Sequence, residues 1–255
     1  ETVNEAFLRN MTATTAISRH FIAKFDPALG NERPAAIHTR NEDVQSALEA
    51  IESLRDDEVL RGLAGLVNAA LRTNAFQTPE RSVISIKFDS RTIPLAPSPR
   101  PMFEIAVHSK RLQGVHLRGG LVARGGIRWS DRHDDFRREI LGLMKTQMVK
   151  NSIIVPVGSK GGFVLKGPLP TRPALDAYLI ERYREYVSGL LDVTDNVVDG
   201  VVRHPPDVVR YDADDPYLVV AADKGTAHLS DTANAVAGEY GFWLGDAFAS
   251  GGSVG

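Results

Sequence analysis

The sequence predicts an α/β protein that opens with a helical segment, and three observations lead there. Apolar residues recur at helical spacing up to about residue 75. From Arg81 the period drops to two: over Ser82–Phe88 (SVISIKF), Ile84, Ile86 and Phe88 alternate with Ser85 and Lys87, as in a half-buried strand. Tyr217–Ala222 (YLVVAA) is an almost unbroken β-prone run, the composition of a strand buried on both faces. Helical patterns stand between the strands. The chain is therefore expected to divide into a helical packing segment over 1–77 and an α/β domain over 78–255.

In the first segment, Asn10–Phe25 is expected as a helix carrying Met11, Ala16, Ile17, Phe21 and Ile22, broken by Pro27 and Gly30. Asn41 can cap a second helix through Val44, Leu48, Ile51 and Leu54, with Glu42 and Asp43 at its positive end. A third places Val59, Leu60, Leu63, Leu66, Val67, Ala70 and Leu71 on one stripe and fades at Thr73-Asn74. These helices read as packing elements.

Four prolines make Thr92–Pro101 a loop, and Phe103–Val107 and Gly114–Leu117 are the next strands. A long helix is expected from Ser130 or Asp131 to Lys150, its core stripe formed by Phe136, Ile140, Met144 and Met148. His133, Asp134 and Asp135 then fall in its first turn, and Lys145 and Lys150 in its last, as the helix dipole favours. Gln147 and Lys150, three apart, share a face at its end. Ile153–Val157 reads as a short buried strand, Gly158–Gly162 (GSKGG) as a tight loop, and Phe163–Leu165 as a continuation. Pro173 opens a helix with Leu179, Tyr183, Tyr186, Val187 and Leu190 on its apolar face. Ser230 or Asp231 caps the last helix, through Ala235, Val236 and Tyr240.

Composition bounds the function. A net charge of -2 with no long basic block argues against nucleic-acid binding. The absence of cysteine excludes disulfides and thiolate zinc sites and fits a reducing compartment. No apolar run reaches membrane-spanning length, so a soluble cytoplasmic protein is expected. The chain begins at Glu1 and stops soon after the apolar GFWLGDAFA, which reads as an excerpt of a longer polypeptide.

Three cations stand among small residues: Arg124 in R-G-G, Lys150, and Lys160 in K-G-G. Glycines beside a cation let a ligand approach closely, so the pattern points to a pocket for a small anion. Near Arg124 and Lys150, the Lys160 ammonium would be destabilised toward the range of a general base. The competing reading is a solvated loop lysine. Asp223, at the end of the Tyr217–Ala222 run, is placed for acid–base work, or else is a turn aspartate bonding the Gly225-Thr226 amides. Neither a phosphate-binding G-x-x-x-x-G-K-[ST] nor a G-x-G-x-x-G between strand and helix is present, and His133-Asp134-Asp135 is too sparse for a metal site. No metal is expected.

Taken in order, Arg124-Gly-Gly-x-Arg, Gln147-x-x-Lys150-Asn-Ser, Pro156-x-Gly-Ser-Lys160-Gly-Gly and Ala-Asp223 resemble the glutamate dehydrogenases. The ADKGT and GFWLGDAFASGG segments point to the large bacterial NAD-specific type, and the resemblance covers residues 80–255. It implies a mixed-sheet, amino-acid-dehydrogenase-like substrate domain for L-glutamate and 2-oxoglutarate. NAD would sit mainly on a Rossmann-type domain outside this chain, in a homo-oligomer. Carried over, Lys160 matches the base that activates water against the imine, and Asp223 the aspartate that moves protons at the substrate amine. Lys150 and Gln147 match the pair holding the α-carboxylate. Arg124, before Gly125 and Gly126, stands where smaller enzymes have a lysine reaching the side-chain carboxylate. The alternative is a non-catalytic amino-acid-binding or regulatory module that keeps the pocket.

Overall fold

The computed structural model describes residues 3–94, 96–150, 156–221, 223 and 226–253, the side chains of Lys150 and Ala227 excepted. Four helices come first: α1 (Val3–Arg9), α2 (Met11–Phe25), α3 (Arg33–Glu49) and α4 (Leu54–Ala69). Ala13, Ile17, Val44, Leu48, Leu60 and Val67 form their common core. The Asp26 carboxylate accepts from the Ala28 amide to start a 3-10 turn over Pro27–Glu32, and α3 follows with Pro34 in its first turn. Asn41 thus lies inside α3 rather than capping it, because proline sets the helix start well before it. Ser53 caps α4 by accepting from the Asp56 amide at 3.4 Å, so Ile51 falls between helices. The far end of α4 is closed by the buried Lys24, whose ammonium donates to the carbonyls of Val67, Asn68 and Ala70 at 2.7–2.9 Å.

There the chain enters an eight-stranded mixed sheet. Its strands are β1 (Ala70–Thr73), β2 (Ile84–Asp89), β3 (Phe103–His108), β4 (Leu112–Arg118), β5 (Ala123–Trp129), β6 (Val157–Leu165), β9 (Val219–Ala221) and β10 (Ala249–Ser250). The spatial order is β1-β2-β3-β4-β6-β5-β9-β10. Pairs from β1 to β6 are antiparallel, and β6, β5, β9 and β10 run parallel. A separate hairpin, β7 (Asn196–Val198) and β8 (Val201–Arg203), turns through Asp199-Gly200, both at positive φ, as a two-residue hairpin requires. Leu71, assigned to a helix from its spacing, is in β1.

Helix α5 (Phe136–Lys150) covers one face of the sheet, packing Phe136, Ile140, Leu141 and Met144 on Val115, Leu117 and Val164. Helices α6 (Arg172–Leu191) and α7 (Ser230–Glu239) cover the other through Leu179, Tyr183, Tyr186, Leu190, Ala233 and Val236. Helix α5 starts later than its apolar spacing suggests. Arg132 pairs with Asp135 and the Ser130 hydroxyl donates to Glu139, folding His133–Asp135 into a turn ahead of the helix.

Three further expectations are corrected. The alternation in β2 is real, but its faces are reversed: Ser85 and Lys87 are wholly buried while Ile84 is exposed. Lys87 is inside because Asp212 and Asp215 meet it there, and Ile86 and Phe88 instead lie toward Phe25, Ala69 and Ala70. Gly158–Gly162 is not a loop but lies within β6. Its glycines are needed for space: a Cβ on Gly161 would stand 2.7 Å from the Tyr186 hydroxyl, and one on Gly162 would run into Ile140. The run expected as a strand from Tyr217 becomes one only from Val219, since Arg118 takes the Tyr217 carbonyl and the Trp243 indole takes that of Pro216. The strand expected over Ile153–Val157 lies largely outside the described residues, as do Ala222, Lys224 and Gly225.

Candidate active site

The parallel half of the sheet builds the site. Arg124 stands opposite Gly158 and Arg128 opposite Gly162, which sets Gly126 opposite Lys160. Side chains alternate along a strand, so Arg124, Gly126 and Arg128 share a face with Gly158, Lys160 and Gly162, the face under α5. Lys160 is thus a mid-strand residue, 8% exposed, and not a solvated loop lysine. Its ammonium is in direct contact with the Asp223 carboxylate, which arrives just beyond β9.

Asp223 is fixed by its own turn. The buried Thr226 hydroxyl donates to the Ile127 carbonyl at 2.5 Å and accepts from the Asp223 amide at 3.3 Å. The Thr226 amide donates to the Asp223 carbonyl at 3.0 Å, so the turn is closed by backbone. Gly126 completes the contact: a Cβ there would lie 2.9 Å from Asp223 Cβ and 3.2 Å from Lys160 Nζ. Gly125 is equally constrained, because a Cβ on it would collide with the Ser159 carbonyl. Burial pulls the Lys160 amine down, and the Arg128 guanidinium adds to it, to about 8, with the Glu139 carboxylate pulling the other way.

The remaining predicted residues fall around this centre. Gln147 is half-buried at the C-terminal end of α5, its Cγ and carbonyl carbon 3.0 Å from where a Cβ on Gly158 would stand. Lys150 follows one turn later, its side chain outside the described residues. Arg124 is exposed and, among the described residues, makes no ion pair; it borders a cleft of about 400 Å³ with Tyr217, Leu244 and Asp246. Among the described side chains the cation acting on Lys160 is Arg128, where the sequence points to Arg124 and Lys150; the Lys150 side chain lies outside the described residues.

A model of the bacterial NAD-glutamate dehydrogenase catalytic domain matches residues 43–255. The chain belongs to that family. It is 56% identical over 218 residues to the NAD-specific glutamate dehydrogenase of Pseudomonas aeruginosa, covering 83% of this chain and 14% of the relative. For the Mycobacterium tuberculosis enzyme of the same name, identity is 57% over 236 residues, covering 84% and 14%. For that of Halomonas elongata it is 52% over 244 residues, covering 92% and 15%. The chain thus spans only about one-seventh of the length of these relatives.

Against the glutamate dehydrogenase motifs, sequence reasoning misses two groups at the centre. Arg128 Nε pairs with Glu139 at 3.1 Å, and the Ser130 hydroxyl donates to the same carboxylate at 2.6 Å. Arg128 is the last residue of R-G-G-x-R, and the alternation of β5 puts it on the same face as Lys160. Glu139 had no such signal. No G-x-G-x-x-G joins a strand to a helix in this sequence. Asp195, His204 and Asp214 bring ligand atoms within 4.8 Å of one another, but Arg72 and Arg210 already occupy the two carboxylates. Cations there oppose a metal. Among the described residues no helix is long and apolar enough to cross a membrane.

Proposed function

We propose that this chain is the substrate-binding part of an NAD-dependent glutamate dehydrogenase, converting L-glutamate to 2-oxoglutarate and ammonia. The observation that supports it most is the contact of a neutrality-prone Lys160 with Asp223 on one covered sheet face. NAD, held by another part of the full-length enzyme, would supply the acceptor for the hydride lost from the substrate Cα. Lys160 takes a proton from the water that attacks the imine carbon, and Asp223 moves protons to and from the substrate nitrogen. Since the two side chains touch, a proton can pass between them without rearrangement. Gln147 and Lys150 hold the α-carboxylate. Arg124, roughly 7 Å along the strand from Gly126, offers a bidentate fork to the side-chain carboxylate. In this reading the helices of residues 1–77 serve packing, while β1 extends the sheet, and the full-length enzyme is a cytoplasmic homo-oligomer.

The test is glutamate-dependent reduction of NAD by the full-length enzyme, with norvaline as the substrate that lacks the distal carboxylate. Arg124→Ala is expected to lower kcat/KM for glutamate by about 10–100-fold, the worth of a charge-assisted hydrogen bond, and to leave norvaline nearly unchanged. Equal losses on both substrates would remove Arg124 from the site. Gly126→Ala is a second expected result: its Cβ displaces Asp223 from Lys160, and kcat falls by about 10²-fold with the fold intact by circular dichroism. A fully active Gly126→Ala enzyme would show that the Lys160–Asp223 contact is not needed for turnover.

A further inference from the structure

We propose that Arg128 and Glu139 form a positioning pair for Lys160, fixing the charge on its side of the sheet so that the amine can lose and regain a proton. The proposal rests on the reading of Lys160 as the base and adds what controls it. Arg128 is on the same face of β5 as Gly126 and so lies diagonally across from Lys160, with Cα atoms about 8 Å apart. It is held rather than free: Glu139 pairs with its Nε at 3.1 Å and is itself anchored by Ser130 at 2.6 Å. Both members are largely covered, the Arg128 side chain 26% and the Glu139 side chain 10% exposed, so water screens them weakly.

Other charges around Lys160 have different roles. From the β9 end comes Asp223, in contact with the amine; from β5 come Arg124 and Arg128; from α5 comes Glu139; and β4 offers the apolar Leu117 opposite it. Asp223 changes protonation in the proposed reaction. Arg128 and Glu139 are tied to each other by their ion pair, so the pair supplies a constant field beside Lys160. Burial and Arg128 drive the amine toward neutrality while Glu139 opposes them. The two residues must therefore act in opposite directions. Glu139 stands in the first turn of α5, so the same clamp seats the helix that carries Gln147 and Lys150.

The experiment uses the full-length enzyme and reads Lys160 without reference to turnover. The rate of Lys160 acetylation by acetic anhydride is followed against pH, peptide by peptide, by mass spectrometry. Arg128→Gln is expected to raise the midpoint by about half to one pH unit and Glu139→Gln to lower it by a similar amount. Arg128→Lys, which keeps the charge, should stay near wild type. Glu139→Gln is nearly isosteric and retains an acceptor for Ser130, so it tests charge even if Arg128→Gln folds poorly. Midpoints that move the same way, or stay put in folded variants, overturn the pair. The acidic limb of kcat/KM, measured on the same variants, separates the two ideas. Opposite shifts in labelling with an unmoved limb would sustain the pair and reject Lys160 as the base. Unmoved labelling, with turnover abolished by Lys160→Ala, would reject the pair and keep the base.

Discussion

Lys160→Ala in the full-length enzyme is expected to lower kcat for glutamate by about 10²–10⁴-fold, the range of a lost general base. Binding of 2-oxoglutarate, measured by calorimetric titration, should weaken by no more than about tenfold, because Arg124 and Gln147 remain. The pH profile discriminates further. With its amine pulled down to about 8 by burial and Arg128, Lys160 is protonated below that value and neutral above it. Wild-type kcat/KM should rise through about pH 8, and the variant should lose that limb. Loss of the amine also frees space beside Asp223, so a small primary amine such as ethylamine should restore part of the turnover. Unchanged turnover in Lys160→Ala would eliminate it as the base, and a parallel collapse of binding would make it a substrate ligand instead.

The residues that can be read from sequence are those whose signal is local. Asp223 stands out because it ends an apolar run, and Lys160 because glycines flank it. The tight loop expected over Gly158–Gly162 is nevertheless a strand. Its glycines do not make a turn; they let Tyr186 and Ile140 press on the two faces of β6. The strand β5 is illegible for a related cause. Arg124-Gly125-Gly126 has low β-propensity, and its extended form is imposed by β6 and β9 on either side, with no room for a Cβ above Gly125. Missing that strand hides the alternation that places Arg128 with Lys160. Fold class survives such errors because it rests on long periodic segments, such as α4 and α6, whose core faces were found. What sequence periodicity cannot supply is the partner of a buried charge. Lys87 was assigned to solvent, and its partners Asp212 and Asp215 lie 125 and 128 residues away.

That charged cluster should produce the largest stability effect in the chain. Arg72, Lys87 and Arg118 face Asp195, Asp212 and Asp215, every side chain at most 9% exposed, three charges against three. Asp215 is the centre: it takes Lys87 at 2.6 Å and both terminal nitrogens of Arg118, and its amide donates to Asp195 at 2.7 Å. The cluster ties β1, β2 and β4 to the segment that runs into β9 and so to Asp223. Asp215→Asn leaves one buried positive charge uncompensated and is expected to cost about 3–5 kcal/mol in urea unfolding. Restoring the balance by adding Lys87→Met should recover part of that loss, with a coupling of about 0.5–3 kcal/mol. Strictly additive losses would mean that the pair is not interacting. Acid titration gives an independent reading. Burial pushes the Asp215 carboxyl up, but Arg118 and Lys87 outweigh it and hold it at about 2, below the ordinary 3.8. Its contribution is present in full above the unfolded value and disappears as pH falls through about 2, because the unfolded chain binds the proton first. Unfolding free energy of the wild type should therefore drop between about pH 4 and 2, and more steeply than in Asp215→Asn. If both proteins lose stability in parallel over that window, Asp215 is not the carboxylate that couples the fold to acid.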